Sequence, residues 1–191
     1  MAKQIGLIVE DESDVDVLAA IISKIVIDRS RYSIQRFVGH GCGKLRNKCG
    51  AWASQLRTRG CQMLIVMHDL DDARVNVLKE ELASKIKDSG IKNRVIVIPV
   101  REIEAWLLSD EAAIRKAMNL VKPIKRITNP ELIRDPKGRL SDLVYQASNK
   151  TKRYINRIHN GMIAKRSEIN LLRRCASFEP LETFLKQQFK S

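Results

Sequence analysis

Nowhere does the chain hold an uninterrupted apolar run of about 18 residues, the length at which a membrane-spanning helix is read, so no such segment is expected. The opening "MAKQIGLIVE" reaches an acid at Glu10, which does not fit a secretory leader, and a cytoplasmic location is the expectation. Cysteine is sparse. Cys42, Cys49, Cys61 and Cys175 show no paired spacing, so reduced thiols are expected rather than disulfides. His40, Cys42 and Cys49 do not amount to a zinc site, which needs ligands in recognisable pairs. Internal repeats and low-complexity segments are absent too. Acid is scarce in one half only. Residues 1–111 carry 17 Lys/Arg against 16 Asp/Glu, whereas residues 112–191 carry 18 against 6, so nearly all of the net +13 lies in the second segment. That asymmetry favours a polyanionic partner, usually nucleic acid, over a basic surface that serves solubility.

What is present suits a packed globular core. The 191 residues are 44% hydrophobic and 30% charged, enough for one domain with a small appendage. Short apolar runs rich in β-branched residues predict strands at Ile5–Val9, Tyr32–Val38, Cys61–Met67 and Arg94–Val100. Helical spacing predicts a helix after Ser13 or Asp14 as its cap, then helices over Lys44–Arg59, Ala73–Ser89 and Glu102–Leu108. Strands separated by helices of this length imply right-handed crossovers and a mostly parallel sheet. Beyond residue 111 the pattern changes. A helix over 111–120 precedes a proline-containing loop over 121–139, and Leu140–Ile158, Ile163–Arg174 and a segment after Pro180 read as helices. The expected organisation is an α/β domain over 1–111 and a basic, mainly helical extension over 112–191.

The acids fall at strand ends. Open parallel sheets bind ligands outside the carboxyl ends of their strands. Glu10 ends the first strand, "HDLDD" with Asp69 and Asp71 follows the third, and "REIEAW" with Glu102 and Glu104 follows the fourth. Residues i and i+2 of an extended chain face one way, so Asp69 and Asp71 can meet one cation, as can Glu102 and Glu104. Crowded carboxylates repel unless a divalent ion neutralises them, and oxygen-only ligands suit Mg²⁺ or Mn²⁺. Asp11, Glu12, Asp14 and Asp72 read instead as acids of helix starts, favoured there by the helix dipole. Phosphoryl transfer also needs positive charge, for which Lys44 after "GHGCG" and Lys137 in "DPKG" are best placed. His40 and His68 are weighed as general bases against a structural role. Lys150, Lys152, Arg153 and Arg157 form the densest basic segment and are the expected nucleic-acid contacts.

The Glu of "LIVEDESD" and the DxD of "VMHDLDD" resemble the signature of the TOPRIM domain, found in topoisomerases, primases, and nucleases of the OLD and RNase M5 type. More narrowly, "PVREIEAWLLSD", "DPKGRL" and "RRCASFEPLETFL" resemble a family of small TOPRIM-like proteins, often encoded beside an ABC-type or AAA-type ATPase in anti-phage loci. The resemblance implies a TOPRIM-like, Rossmann-like sheet and a Mg²⁺- or Mn²⁺-dependent nuclease. In it Glu10 is metal ligand or general acid/base, Asp69 and Asp71 bind metal, and Glu102 and Glu104 form an acidic pair. It also implies an ATPase partner, for which Ile169 and Leu172 are candidate contacts. The oligomeric state, a homo-oligomer included, stays open. "EDES" stands where a glycine often follows the TOPRIM glutamate, which argues against a topoisomerase or primase. Two alternatives remain: a non-catalytic module that docks nucleic acid or an ATPase on the same fold, and a phosphoacceptor receiver in which Asp69 would be phosphorylated.

Overall fold

The computed structural model describes residues 2–70 and 73–190. A four-stranded sheet of β1 (Lys3–Val9), β2 (Tyr32–Val38), β3 (Met63–Met67) and β4 (Asn93–Val97) runs in the order β2-β1-β3-β4. Every pairing is parallel, with Val9 beside Val38, Ile8 beside Val66, and Met67 beside Val97. The central strands are buried on both faces, which is why they read as continuous apolar runs, while β2 and β4 are partly exposed at the edges.

Alternation along the strands divides the core in two. Ile5, Leu7, Val9, Met63, Ile65 and Met67 face one side; Ile8, Leu64 and Val66 face the other. The second face is covered by α2 (Cys42–Thr58) and α3 (Val75–Ile86), through Leu45, Leu56, Leu78 and Leu82. Gly6 permits the approach of α2, because a Cβ there would meet Leu56 Cδ1 at 2.9 Å.

The first face carries α1 (Glu12–Ile25) and the later helices, α4 (Glu104–Leu107), α5 (Glu111–Met118), α6 (Pro136–Ala147), α7 (Asn156–Ala164), α8 (Ile169–Leu172) and α9 (Glu179–Gln188). Trp106 and Phe178 are fully buried there, edge to face at 5.4 Å, and the Trp106 indole N–H donates to Ser177 Oγ at 2.8 Å. Residues beyond 111 thus share one apolar cluster with β1 and α1. At Gly161 a Cβ would stand 2.8 Å from Asp16 Cβ, so α7 lies hard against α1.

The helix expected over Leu140–Ile158 is instead α6, an extended connection and the start of α7. Ile163–Arg174 is the end of α7, a turn and α8. Leu172 is buried in the core and Ile169 packs against it, so neither presents a free docking contact for an ATPase. Cys49, Cys61 and Cys175 are buried and Cys42 is exposed, all as free thiols. Burial pushes Cys49 and Cys175 up to about 12, which leaves them unreactive at neutral pH. No helix among the described residues is long and apolar enough to cross a membrane.

Candidate functional site

The order β2-β1-β3-β4 places a topological switch point between β1 and β3, where neighbouring crossovers leave in opposite directions and a crevice opens at the strand ends. Glu10 follows β1 and Asp69 follows β3, so both stand at that crevice. They touch directly: the Asp69 backbone N–H donates to Glu10 Oε1 at 2.9 Å. His68 Nδ1 lies 3.0 Å from Glu10 Oε1 and 2.6 Å from the Asp69 carbonyl oxygen. Both neighbours are acceptors, so Nδ1 carries the proton. The buried His68 ring therefore stands against Glu10 and the chain at Asp69.

The cap of α1 is Asp11, not Ser13 or Asp14. Its side chain accepts from the Ser13 N–H at 2.9 Å, and Asp14 Oδ2 accepts from the Asp11 N–H at 2.9 Å, closing a capping box. That box turns Asp14 inward beside Glu10.

The chain after β4 is not extended. Arg101 adopts φ +66°, a conformation that costs a side chain about 1 kcal/mol or more, and the Glu102 N–H turns back onto the Val100 carbonyl at 3.0 Å. Glu102 and Glu104 therefore reach the crevice through a sharp turn and the start of α4, rather than by strand alternation. Glu102 accepts the Lys137 backbone N–H at 3.1 Å, which brings the start of α6 to the rim. Glu104 is buried and accepts from the Tyr154 hydroxyl at 2.9 Å and from Asn160 Nδ2 at 3.1 Å.

The result is a cleft of about 200 Å³ lined by Glu10, Asp14, Asp69, Glu102 and Glu104, with Lys137 and Asn156 among the residues at its edge. Its electrostatics follow from burial plus crowding. Burial pushes Asp14 up to about 7; the Asp11 N–H opposes this, while Glu104, Asp11 and Glu10 add to it. Asp69 is raised well above the usual carboxylate range, first by burial and then by Asp14, Glu10, Glu104 and Glu102. Glu102 is raised by burial and by Glu104, against the Lys137 N–H. The shared cause is several carboxylates crowded into one partly buried cleft, with the Lys137 charge acting against the rise at Glu102. Among the described residues, no group of three or more His, Cys, Asp or Glu side chains stands close enough to hold a metal ion as placed. Asp71 of the DxD, like Asp72, lies outside the described residues.

A family model described as "Domain of unknown function (DUF4276)" matches residues 9–186. The chain belongs to the DUF4276 family. No curated protein matches it, and no solved structure does. The matched span of this DUF4276 chain runs from the end of β1 into α9 and so encloses every residue of the cleft.

The remaining expected residues lie elsewhere. Lys44 is exposed in the first turn of α2 and is not part of the cleft lining, although Gly41 just before it is. His40 is exposed at φ +52° in the turn after β2. Lys150, Arg153 and Arg157 are exposed in and beside the α6–α7 connection. Lys152 is engaged: its Nζ donates to the carbonyls of Met118 and Asn119 at 2.8 and 2.9 Å, closing the end of α5. Sequence reasoning missed Tyr154, Asn156 and Asn160. Tyr154 and Asn156 were hidden by the helix expected over Leu140–Ile158, and Asn160 by falling between it and the helix expected over Ile163–Arg174.

Proposed function

We propose that the cleft is the active site of a divalent-cation-dependent phosphodiesterase acting on nucleic acid, built on a TOPRIM-like sheet. The observation that carries this reading is the convergence of carboxylates from three separate strand ends on one crevice, where burial and mutual repulsion raise Asp14 and Asp69. Each of Glu10, Asp14, Glu102 and Glu104 has a hydrogen-bond donor, yet with Asp69 they still share one cleft. The donor set is all oxygen, which suits Mg²⁺ or Mn²⁺ rather than a softer metal. Glu10, Asp69, Glu102 and Glu104 are the described donors that would hold the cation, and they would have to draw together to do so, since no three of them stand within reach of one ion as placed. A bound divalent ion supplies charge neutralisation for phosphoryl oxygens and lowers the pKa of a bound water. The protein supplies the rest. His68 and the Asp69 N–H fix Glu10 in place, and Lys137 at the rim offers a positive charge to a phosphate.

The resemblance to ATPase-linked defence proteins supports a role beside an ATPase, through a surface other than Ile169 and Leu172. The order β2-β1-β3-β4 is also that of the first four strands of a five-stranded receiver domain. A site that must accept a phosphoryl group on one aspartate is poorly served by Glu102 and Glu104 facing it, and the receiver reading is set aside for that reason.

Cleavage of DNA and RNA by the purified chain with Mn²⁺ is the direct test. Asp69→Asn and Glu10→Gln should each lower the rate by roughly a hundredfold or more, as expected for losing preorganised charge. Their melting temperatures should hold or rise, since each removes a repelling charge. A folded Asp69→Asn that cuts as well as the parent overturns this site. Tight nucleic-acid binding with no cleavage at any Mn²⁺ concentration establishes the non-catalytic module instead.

A further inference from the structure

Glu104 lines the cleft, yet it is only 4% exposed and is held by residues far along the chain. Tyr154, 8% exposed, and Asn160, fully buried, both donate to the same oxygen, Glu104 Oε1. The Tyr154 hydroxyl also contacts Asn160 Oδ1, so the three side chains close a ring of polar contacts. Neither Tyr154 nor Asn160 is among the residues lining the cleft, which places the ring behind the carboxylate.

Burying a carboxylate, a carboxamide and a phenol together is expensive unless each finds its partners, and apolar residues of similar volume would fill the same space more cheaply. Within α7 the neighbours of this ring are apolar: Ile163 and Ala164 sit in the same core. The convergence of two donors on one oxygen has a specific mechanical effect. It fixes the rotation of the carboxylate about its last torsion and leaves the other oxygen outside the ring, on a residue that borders the cleft. Oriented ligands of this kind depend on the groups behind them.

We propose that Tyr154 and Asn160 are positioning residues that hold Glu104 in the orientation at which it completes the cation-binding cleft. This rests on the active-site reading above and deepens it, because it makes the basic C-terminal segment a working part of the site.

The test is Mn²⁺ binding to the full chain by electron paramagnetic resonance, beside thermal melting and Mn²⁺-dependent cleavage. Tyr154→Phe should weaken Mn²⁺ binding about tenfold or more, the usual scale for losing such a supporting contact. The Mn²⁺ concentration for half-maximal cleavage should rise by the same factor, with kcat recovered at saturating Mn²⁺. Glu104→Gln still accepts both hydrogen bonds, so it should keep the melting temperature while losing Mn²⁺ affinity. Adding Tyr154→Phe to Glu104→Gln should then change the affinity no further. Where Tyr154→Phe fails to fold, Asn160→Ser carries the same expectations. A Tyr154→Phe protein that melts lower but binds Mn²⁺ as tightly as the parent shows a purely structural ring and overturns this inference alone. A parent chain that binds no Mn²⁺ overturns the active-site reading and this inference with it.

Discussion

Asp14 closes the capping box of α1 and also lines the acidic cleft, and the two roles pull its protonation in opposite directions. The hydrogen bond from the Asp11 N–H favours the charged form, while burial and the neighbouring carboxylates disfavour it. Burial wins, lifting the group from 3.8 to about 7. The folded chain therefore binds more protons at this site than the unfolded chain between those values. Stability from this group is present at low pH and is lost as the pH rises towards about 7. Asp14→Asn keeps an oxygen for the capping box and carries no charge. Its melting temperature should match the parent near pH 4, exceed it increasingly up to pH 7, and hold a constant lead above that. A lead independent of pH would show that Asp14 is not the titrating group. The strand-end acids were legible as residues because Glu10, Asp69 and Glu102 each stand within two residues of the end of an apolar run. Tyr154 and Asn160 were not, since the carboxylate that explains them lies 50 and 56 residues away. Asp14 was read only as an acid of a helix start, which is half of what it does.

Two helical glycines separate local propensity from packing. Gly43, in the first turn of α2, has nothing within 4 Å of where a Cβ would stand. Gly161, inside α7, has Asp16 Cβ at 2.8 Å. Gly43→Ala should stabilise by up to about 1 kcal/mol, through lower backbone entropy in the unfolded chain. Gly161→Ala should instead destabilise by about 1–3 kcal/mol, because α7 must move off α1. Urea midpoints read both, and equal signs for the two would contradict the close packing of α1 and α7. The strands were readable to within two or three residues at each end, the expected Arg94–Val100 running three past the close of β4 at Val97. The division of α6 from α7 was not, and its physical cause is plain. The chain turns at Asn149 and Lys150, with φ of +56° and +65°, using no glycine or proline. Ser148 and Thr151 then stitch the turn through side-chain hydrogen bonds. Likewise α7 ends at Ala164, and the Glu168 N–H at the start of α8 is held by Asp110 Oδ2, a partner far back in the sequence. Breaks made by tertiary partners leave no mark in local composition.

Across the whole molecule, the charge asymmetry seen in the sequence survives folding as an acidic cleft bordered by a basic segment. An acidic cleft repels a polyanion, so the nucleic-acid substrate proposed above would draw its binding energy from outside the cleft. Replacing Lys150, Arg153 and Arg157 together with glutamate should lower nucleic-acid affinity at least tenfold at low salt and flatten its salt dependence. Mn²⁺ binding should be unaffected. Lys152→Ala should mainly cost stability, since its ammonium already serves the end of α5. An unchanged salt slope in the triple variant would move the contact surface elsewhere. Net charge was legible from composition; which lysines remain available depended on carbonyls that only the fold brings near.

The cleft also has a history in time. Glu10 meets its partner Asp69 only after 59 further residues, and Glu104 waits 56 more for Asn160. At ordinary synthesis rates that last contact becomes available on the order of ten seconds after the first strand is made. A chain interrupted before α7 holds the acids without the wall that aims Glu104. The orientation of Glu104 is therefore acquired only once synthesis has passed Asn160.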